Sequence, residues 1–134
     1  GGEVEFTDDD WSGEYQLKPY DIWDCALRFR RGMYTGGLRC LSFQMKKVLP
    51  IGRGGMVLTD SEQDANWLRK ARSNGRNCAV SYQKDKIDFL GWDMAMTPEQ
   101  GARGLHLLSN ADPAALDQWF DYPDLRTMPV FSER

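Results

Sequence analysis

Residues 42–59 read SFQMKKVLPIGRGGMVLT, and this stretch decides the fold prediction. It opens at the end of a segment, 38–44, in which apolar residues mix with small or polar ones, a pattern that predicts a β-strand. The lysine pair Lys46-Lys47 follows directly after that strand. Gly52-Arg53-Gly54-Gly55 then predicts a turn or a close approach of two backbones, because glycine adopts conformations that other residues avoid. Residues 56–59 predict the next strand.

One further strand is predicted upstream of this stretch. The run DIWDCAL, residues 21–27, is short and mostly apolar, which is consistent with a buried strand. A basic segment, residues 28–31, follows it. The glycine-containing residues 32–37 predict a loop before the strand at 38–44.

Helix signals lie downstream. Asp60 is a candidate N-cap with Gln63 three residues later, and Gly75 supplies a stop signal. Thr97-Pro98-Glu99-Gln100 combines a cap, a proline at the first helical position and a glutamine at the third, which predicts a second helix. Asp112-Pro113 predicts the start of a third helix that carries Leu116, Trp119 and Phe120.

The order of these elements predicts the fold class. Three strands are followed by three helices, with a polar segment at 76–90 between the first two helices, and this order indicates an α/β arrangement. The second helix carries Gly101 and Gly104, so one face is small enough to lie close against a neighbour. We expect a polar N-terminal arm over residues 1–19, a main unit over 20–110, and a C-terminal helix and tail over 111–134.

Composition excludes several functional classes. A chain of 134 residues has room for one domain, and its net charge of −3 argues against a surface built to bind nucleic acid or anionic lipid. Three widely spaced cysteines and a single histidine argue against a disulfide scaffold and a zinc site, so we expect no metal and favour a reducing cytoplasm. No apolar run reaches the length of about 18 residues that a membrane span needs.

Three features could carry chemistry, and each has a simpler structural explanation. A lysine of the pair at 46–47 could be desolvated on the loop and form a Schiff base with a carbonyl, or both lysines could be solvated surface charges. Asp24 could be an acid at the carboxyl edge of a parallel sheet, or a cap or ion-pair partner. The glycine turn at 52–55 could hold a phosphate with its backbone N–H groups, or be a plain turn.

The order of these pieces resembles the signature of the DegT/StrS family of sugar aminotransferases, which are pyridoxal-phosphate enzymes. The shared pattern is Ser-Phe, a lysine five residues after the serine, four further residues, and a glycine-rich turn that leads into a strand. Three other segments are similar to family motifs in the same order, and the resemblance covers about residues 20–108. These segments are Trp23-Asp24-Cys25-Ala26, Arg72-Ser73-Asn74-Gly75 and Gly91-Trp92-Asp93-Met94-Ala95-Met96-Thr97.

The resemblance implies a fold, a cofactor and a set of site residues. The implied fold is a partial three-layer α/β/α large domain of the aspartate-aminotransferase type, and the implied cofactor is pyridoxal 5'-phosphate. Lys47 would form the lysine aldimine with the cofactor, and Asp24 would pair with its ring nitrogen. Ser42 would bind the cofactor phosphate, and Asp93 would reach the phosphate of the neighbouring subunit.

The function implied by the resemblance is transfer of an amino group, typically from glutamate, to a keto sugar linked to a nucleotide. A nucleotide sugar and an amino acid would be the substrates, and the chain would form a homodimer. Arg53, Asp93 and Ala95 depart from the family pattern, and the short chain resembles a partial member with weak cofactor binding. The alternative is therefore a catalytically inactive remnant or fragment that acts as an interaction or oligomerisation module. A third hypothesis is a phosphate- or nucleotide-binding module that uses the glycine turn.

Overall fold

Four short strands form one mixed sheet in the computed structural model, which describes residues 5–132. The strands are β1 (Tyr15–Gln16), β2 (Ile22–Asp24), β3 (Leu38–Ser42) and β4 (Gly55–Leu58), and they lie side by side in chain order. The β1–β2 and β3–β4 pairs are antiparallel, whereas the central β2–β3 pair is parallel. Over the same described residues, three α-helices follow: α1 (Glu62–Ala71), α2 (Pro98–Ser109) and the short α3 (Pro129–Ser132). Two 3₁₀ turns lie at Tyr82–Lys84 and Leu125–Thr127. The α/β class is confirmed.

The core lies where β3 and the loops that flank it meet. Its buried residues are Cys25, Met33, Leu41, Phe43, Leu49 and Ile51. Phe43 is 2% exposed, and full burial of a side chain of this size stabilises the fold by roughly 1.5–3 kcal/mol. Because Leu49 and Ile51 are core residues, they hold the loop that carries the lysine pair against the sheet.

The start of α2 matches its prediction. The Thr97 hydroxyl accepts a hydrogen bond from the Gln100 backbone N–H, and the Gln100 side chain accepts one from the Thr97 N–H, which completes the capping box. Gly104 is buried against Ile51, and an added Cβ would lie 2.7 Å from the Ile51 Cδ1 atom. The predicted small face therefore forms a contact at Gly104, whereas the space around Gly101 is open to 4 Å.

The predicted cap of α1 is wrong by one residue. Ser61 is the N-cap, and its hydroxyl accepts a hydrogen bond from the Asp64 N–H. Asp60 bonds instead with Tyr34, whose hydroxyl donates to the Asp60 carboxylate at 2.8 Å and accepts from the Asp60 N–H at 2.9 Å. The hydrogen bond with Tyr34 thus engages the Asp60 side chain, which the local sequence had predicted to cap α1.

The helix predicted from Asp112-Pro113 is also wrong, because only one turn forms there and residues 115–124 have no regular structure. The Asp112 carboxylate accepts a hydrogen bond from the Ala114 N–H at 2.8 Å. Farther along, the Asp117 carboxylate binds Arg28, and the Gln118 N–H donates to the Leu27 carbonyl at 2.8 Å. These distant partners bind the segment to the residues that follow β2, where a continued helix is not formed.

The N-terminal arm is not entirely irregular. Tyr15 and Gln16 form β1 and pair with Asp24 and Trp23 of β2. The first four residues of the arm predicted over 1–19 lie outside the described residues. Between residues 5 and 132, none of the helices is long and apolar enough to cross a membrane.

Candidate active site

Asp24 lies at the carboxyl end of β2, where the sheet fixes its backbone from both sides. Its sheet partners are Cys40 in the parallel strand β3 and Tyr15 in the antiparallel strand β1. The carboxylate accepts a hydrogen bond from the Ala26 N–H at 2.8 Å and another from the Tyr15 hydroxyl at 3.0 Å. Both oxygens of this half-buried acid therefore have a donor within the chain.

Lys47 lies on a loop that leaves the sheet after β3 and returns before β4. The ends of the loop are joined by a bridge between Gln44 and Gly52, and the Lys47 N–H donates to the Gln44 carbonyl at 2.9 Å. The side chain is half-buried, and its Nζ lies 5.7 Å from the centre of the Phe120 ring. Lys46, its neighbour in sequence, is exposed.

Asp24 and Lys47 line the same cavity, which has a volume of about 1190 Å³. The aromatic side chains of Trp11, Tyr15 and Tyr122 form part of its wall. An acid from the end of one strand and an amine from the loop after the next strand thus lie on the wall of one cavity. This is the pair for which the resemblance implied contacts with a pyridine ring and an aldehyde.

The cations of the cavity wall differ in their partners. Lys18 binds Asp9, Arg126 binds Asp8 and Asp124, and Arg28 binds Glu14 and Asp117. Lys47 has no carboxylate within ion-pair distance in the described part of the chain, although it lies on the same wall. Among the described cations of this wall, its amine is therefore the one that no described carboxylate neutralises.

Ser42 and Asp93 lie apart from this cavity. Ser42 ends β3 opposite Gly55, and its hydroxyl accepts a long hydrogen bond of 3.4 Å from the Gln44 N–H. Asp93 is exposed and forms a bridge with Ser73 beyond the end of α1. Neither residue is on the wall that holds Asp24 and Lys47.

A network of ion pairs supports the strand end that carries Asp24. Glu14 binds Arg28 at 2.7 Å and Arg39 at 3.0 Å, and Arg28 also binds Asp117 at 2.6 Å. The hydrogen bonds from Arg28 hold the pKa of Asp117 below its usual range. Because Glu14 precedes β1 and Arg28 follows β2, the network fastens the arm and the 111–124 segment to the site.

Cys25 is the fully buried neighbour of Asp24. Its thiol donates to the Glu14 carboxylate at 3.3 Å, and burial together with this hydrogen bond raises the pKa of Cys25 to about 12. A thiol that keeps its proton is a poor nucleophile. We therefore assign Cys25 a packing role.

Gln118 joins the two loops that carry the candidate residues. Its N–H donates to the Leu27 carbonyl after β2, and its side-chain amide donates to the Lys46 carbonyl at 3.2 Å.

The sequence analysis did not predict roles for Gln118 and Asp117, since nothing local marks them as partners of distant residues. It also missed Tyr15, although polar and apolar residues alternate over 14–17, a pattern typical of a half-buried strand.

A family model described as the DegT/DnrJ/EryC1/StrS aminotransferase family matches residues 30–118. The chain belongs to this family. Lys47, Ser42 and Asp93 fall within the matched residues, whereas Asp24 lies before them. No curated protein matches the chain. Membership in the family establishes the chain as related to pyridoxal-phosphate-dependent aminotransferases and confirms the resemblance seen in the sequence.

Proposed function

We propose that this chain takes part in pyridoxal-phosphate-dependent transfer of an amino group, typically from glutamate, to a keto sugar linked to a nucleotide. One observation carries the proposal: Asp24 and Lys47 line one cavity. Family membership supports the reaction class, and the geometry supports the choice of residues.

The donor set of the cavity suits the ring of the cofactor. The carboxylate of Asp24 has spare accepting capacity, since each oxygen carries two lone pairs and has one donor. It would hold the proton on the ring nitrogen. The amine of Lys47 would bind the aldehyde end and move a proton during transfer. When bound, pyridoxal phosphate supplies an electron sink for the substrate carbon.

The cavity wall is less suited to the phosphate. Its other cations are engaged with carboxylates, and a phosphate dianion needs donors that are not already neutralised. We propose the phosphate roles of Ser42 and Asp93 from the family resemblance alone, with Asp93 acting on a neighbouring subunit of a homodimer. We also propose that the mixed sheet is part of a three-layer α/β/α domain and that the protein acts in the cytoplasm.

The test is a Schiff-base assay on the full chain. Pyridoxal phosphate is added, the visible absorbance of the Schiff base is recorded, and borohydride reduction is followed by peptide mapping. We expect a reduced adduct on Lys47 that Lys47→Ala abolishes. Lys46→Ala is the matched control and should leave both the band and the adduct unchanged.

Equal labelling of both lysines would contradict the assignment, since it would indicate adventitious reaction of surface amines. Absence of any adduct would instead favour the non-catalytic alternative.

One observation supports the alternative of an interaction or oligomerisation module: Met56, Leu105 and Leu108 are exposed on an apolar groove of about 380 Å³ between the sheet and α2. A second copy of the chain could cover such a surface.

A further inference from the structure

Tyr15 lies directly opposite Asp24 in the sheet. The antiparallel register of β1 and β2 pairs these two residues, and the Tyr15 hydroxyl donates to the Asp24 Oδ2 at 3.0 Å. The other oxygen, Oδ1, accepts from the Ala26 N–H. The carboxylate is thus held at two points, and a rotation about its χ2 bond would break at least one of them.

The phenol is itself held in place. The backbone of Tyr15 pairs with β2, and its ring packs against Trp11 with 5.1 Å between ring centres. The ring also forms part of the wall of the cavity that Asp24 and Lys47 line. Tyr15 therefore reaches the acid from a strand that is anchored on both its backbone and its side chain.

We propose that Tyr15 is a positioning residue for Asp24, whose hydroxyl holds the carboxylate in the one orientation in which it can bind a cationic ring nitrogen. The role rests on the proposed function, because it has a purpose only if Asp24 binds such a group. Tyr15 acts through Asp24 and makes no direct contribution to the reaction.

The protonation state of the phenol suits this role. Burial, and after it the hydrogen bond to Asp24, raise the pKa of Tyr15 to about 12. The hydroxyl thus keeps its proton over the range in which enzymes work, and the bond to Asp24 is present throughout that range.

The first test needs no cofactor. Tyrosine labelled with ¹³C at Cζ reports hydrogen bonding of each phenol by NMR. We expect Asp24→Asn to shift the Tyr15 resonance, because the charged acceptor is lost, while the Tyr20 resonance stays in place. Tyr20 is the matched control, since it lies in the turn between β1 and β2 with an exposed ring. An unchanged Tyr15 resonance would overturn the proposal even if Tyr15→Phe could not be purified.

The second test measures the affinity for pyridoxal phosphate by absorbance titration. We expect Tyr15→Phe to weaken binding about tenfold, which corresponds to about 1.4 kcal/mol, and Tyr20→Phe to leave it unchanged. In the Asp24→Asn background, Tyr15→Phe should have no further effect, since the group that it positions is gone. An equal loss in both backgrounds would show a purely structural role and overturn the proposal.

The same titration distinguishes failure of the proposed function from failure of the positioning role alone. If Asp24→Asn and Lys47→Ala both leave the affinity unchanged, the proposed function fails and the role of Tyr15 fails with it. If those two variants weaken binding while Tyr15→Phe behaves like Tyr20→Phe, the proposed function stands and the positioning role alone is overturned.

Discussion

Asp117→Asn tests the ion pair that fastens the 111–124 segment to the loop after β2. The substitution keeps the size of the side chain and removes its charge. In the native protein, Arg28 donates from Nε to one carboxylate oxygen at 2.9 Å and from Nη2 to the other at 2.6 Å. The side chains of both partners are largely buried, at 14% and 13% exposure, so this pair is screened less than a surface pair.

The expected cost follows from these two bonds. A hydrogen bond to a charged group contributes about 1.5–3 kcal/mol. Asparagine retains one acceptor oxygen but turns an NH₂ group toward the guanidinium of Arg28, so roughly one charged bond is lost. Arg28 keeps its partner Glu14 at 2.7 Å, which limits the penalty. We therefore expect the free energy of unfolding to fall by about 2 kcal/mol at pH 7.

The effect should depend on pH with a definite sign. The pKa of Asp117 is lowered in the folded state by the hydrogen bonds from Arg28, whereas in the unfolded state it ionises near its ordinary value of about 3.9. The contribution of Asp117 to stability is complete above that value and is lost as the pH falls through the lowered folded value. Since asparagine does not titrate, the two proteins should converge in stability as the pH falls below about 3.9 and through the lowered folded pKa of Asp117.

Urea unfolding followed by circular dichroism at several pH values measures both effects. Asp121→Asn is the matched control, because Asp121 is exposed on the same segment. A loss of less than about 0.5 kcal/mol for Asp117→Asn at pH 7, or a difference from the native protein that does not narrow in acid, would refute the reasoning.

Two further predictions concern packing and reactivity. Gly55→Ala should destabilise the fold by about 1–3 kcal/mol in the same urea assay, because the added Cβ would collide with the backbone carbonyl of Leu41. Gly101→Ala is the control and should be neutral or stabilising, because position 101 lies in open space within α2. Equal effects of the two substitutions would contradict this prediction. In thiol labelling of the native protein, the exposed Cys78 should react first and the buried Cys25, with its pKa raised to about 12, only on unfolding. Early labelling of Cys25 would contradict the packing.

Some elements were predictable because their determinants are local. The capping box of Thr97 and Gln100 is contained within four residues, and α2 begins where that box places it. The segments around β2, β3 and β4 were also found, since short apolar runs bounded by loops are a local signal.

Other elements failed because distant contacts outweigh local preference. Asp112-Pro113 has the sequence of a helix start, yet Asp117 is held by Arg28 and a continued helix is not formed. Asp60 has the sequence of a cap, yet Tyr34 binds it and Ser61 takes its place. Neither competing partner is visible within a window of a few residues.

The candidate site was predictable only through the family pattern. Lys47 was selected over Lys46 by its spacing from Ser42, and the structure places Lys47 alone of the two on the cavity wall. That Asp24 shares this wall could not be worked out from spacing, since it depends on how the loop after β3 folds back. The contribution of Tyr15 depends on the register of a two-residue strand, which sequence patterns specify weakly.

The two hydrogen bonds of Gln118 have a consequence for how this site could change over time. Because one residue bonds to the loops after β2 and after β3, the separation of Asp24 and Lys47 depends on a third segment as well as on the sheet. A substitution at position 118 could therefore alter the spacing of two residues that are themselves unchanged. The geometry of the site can therefore change, or the site can be lost, through substitution of a residue that takes no part in its chemistry.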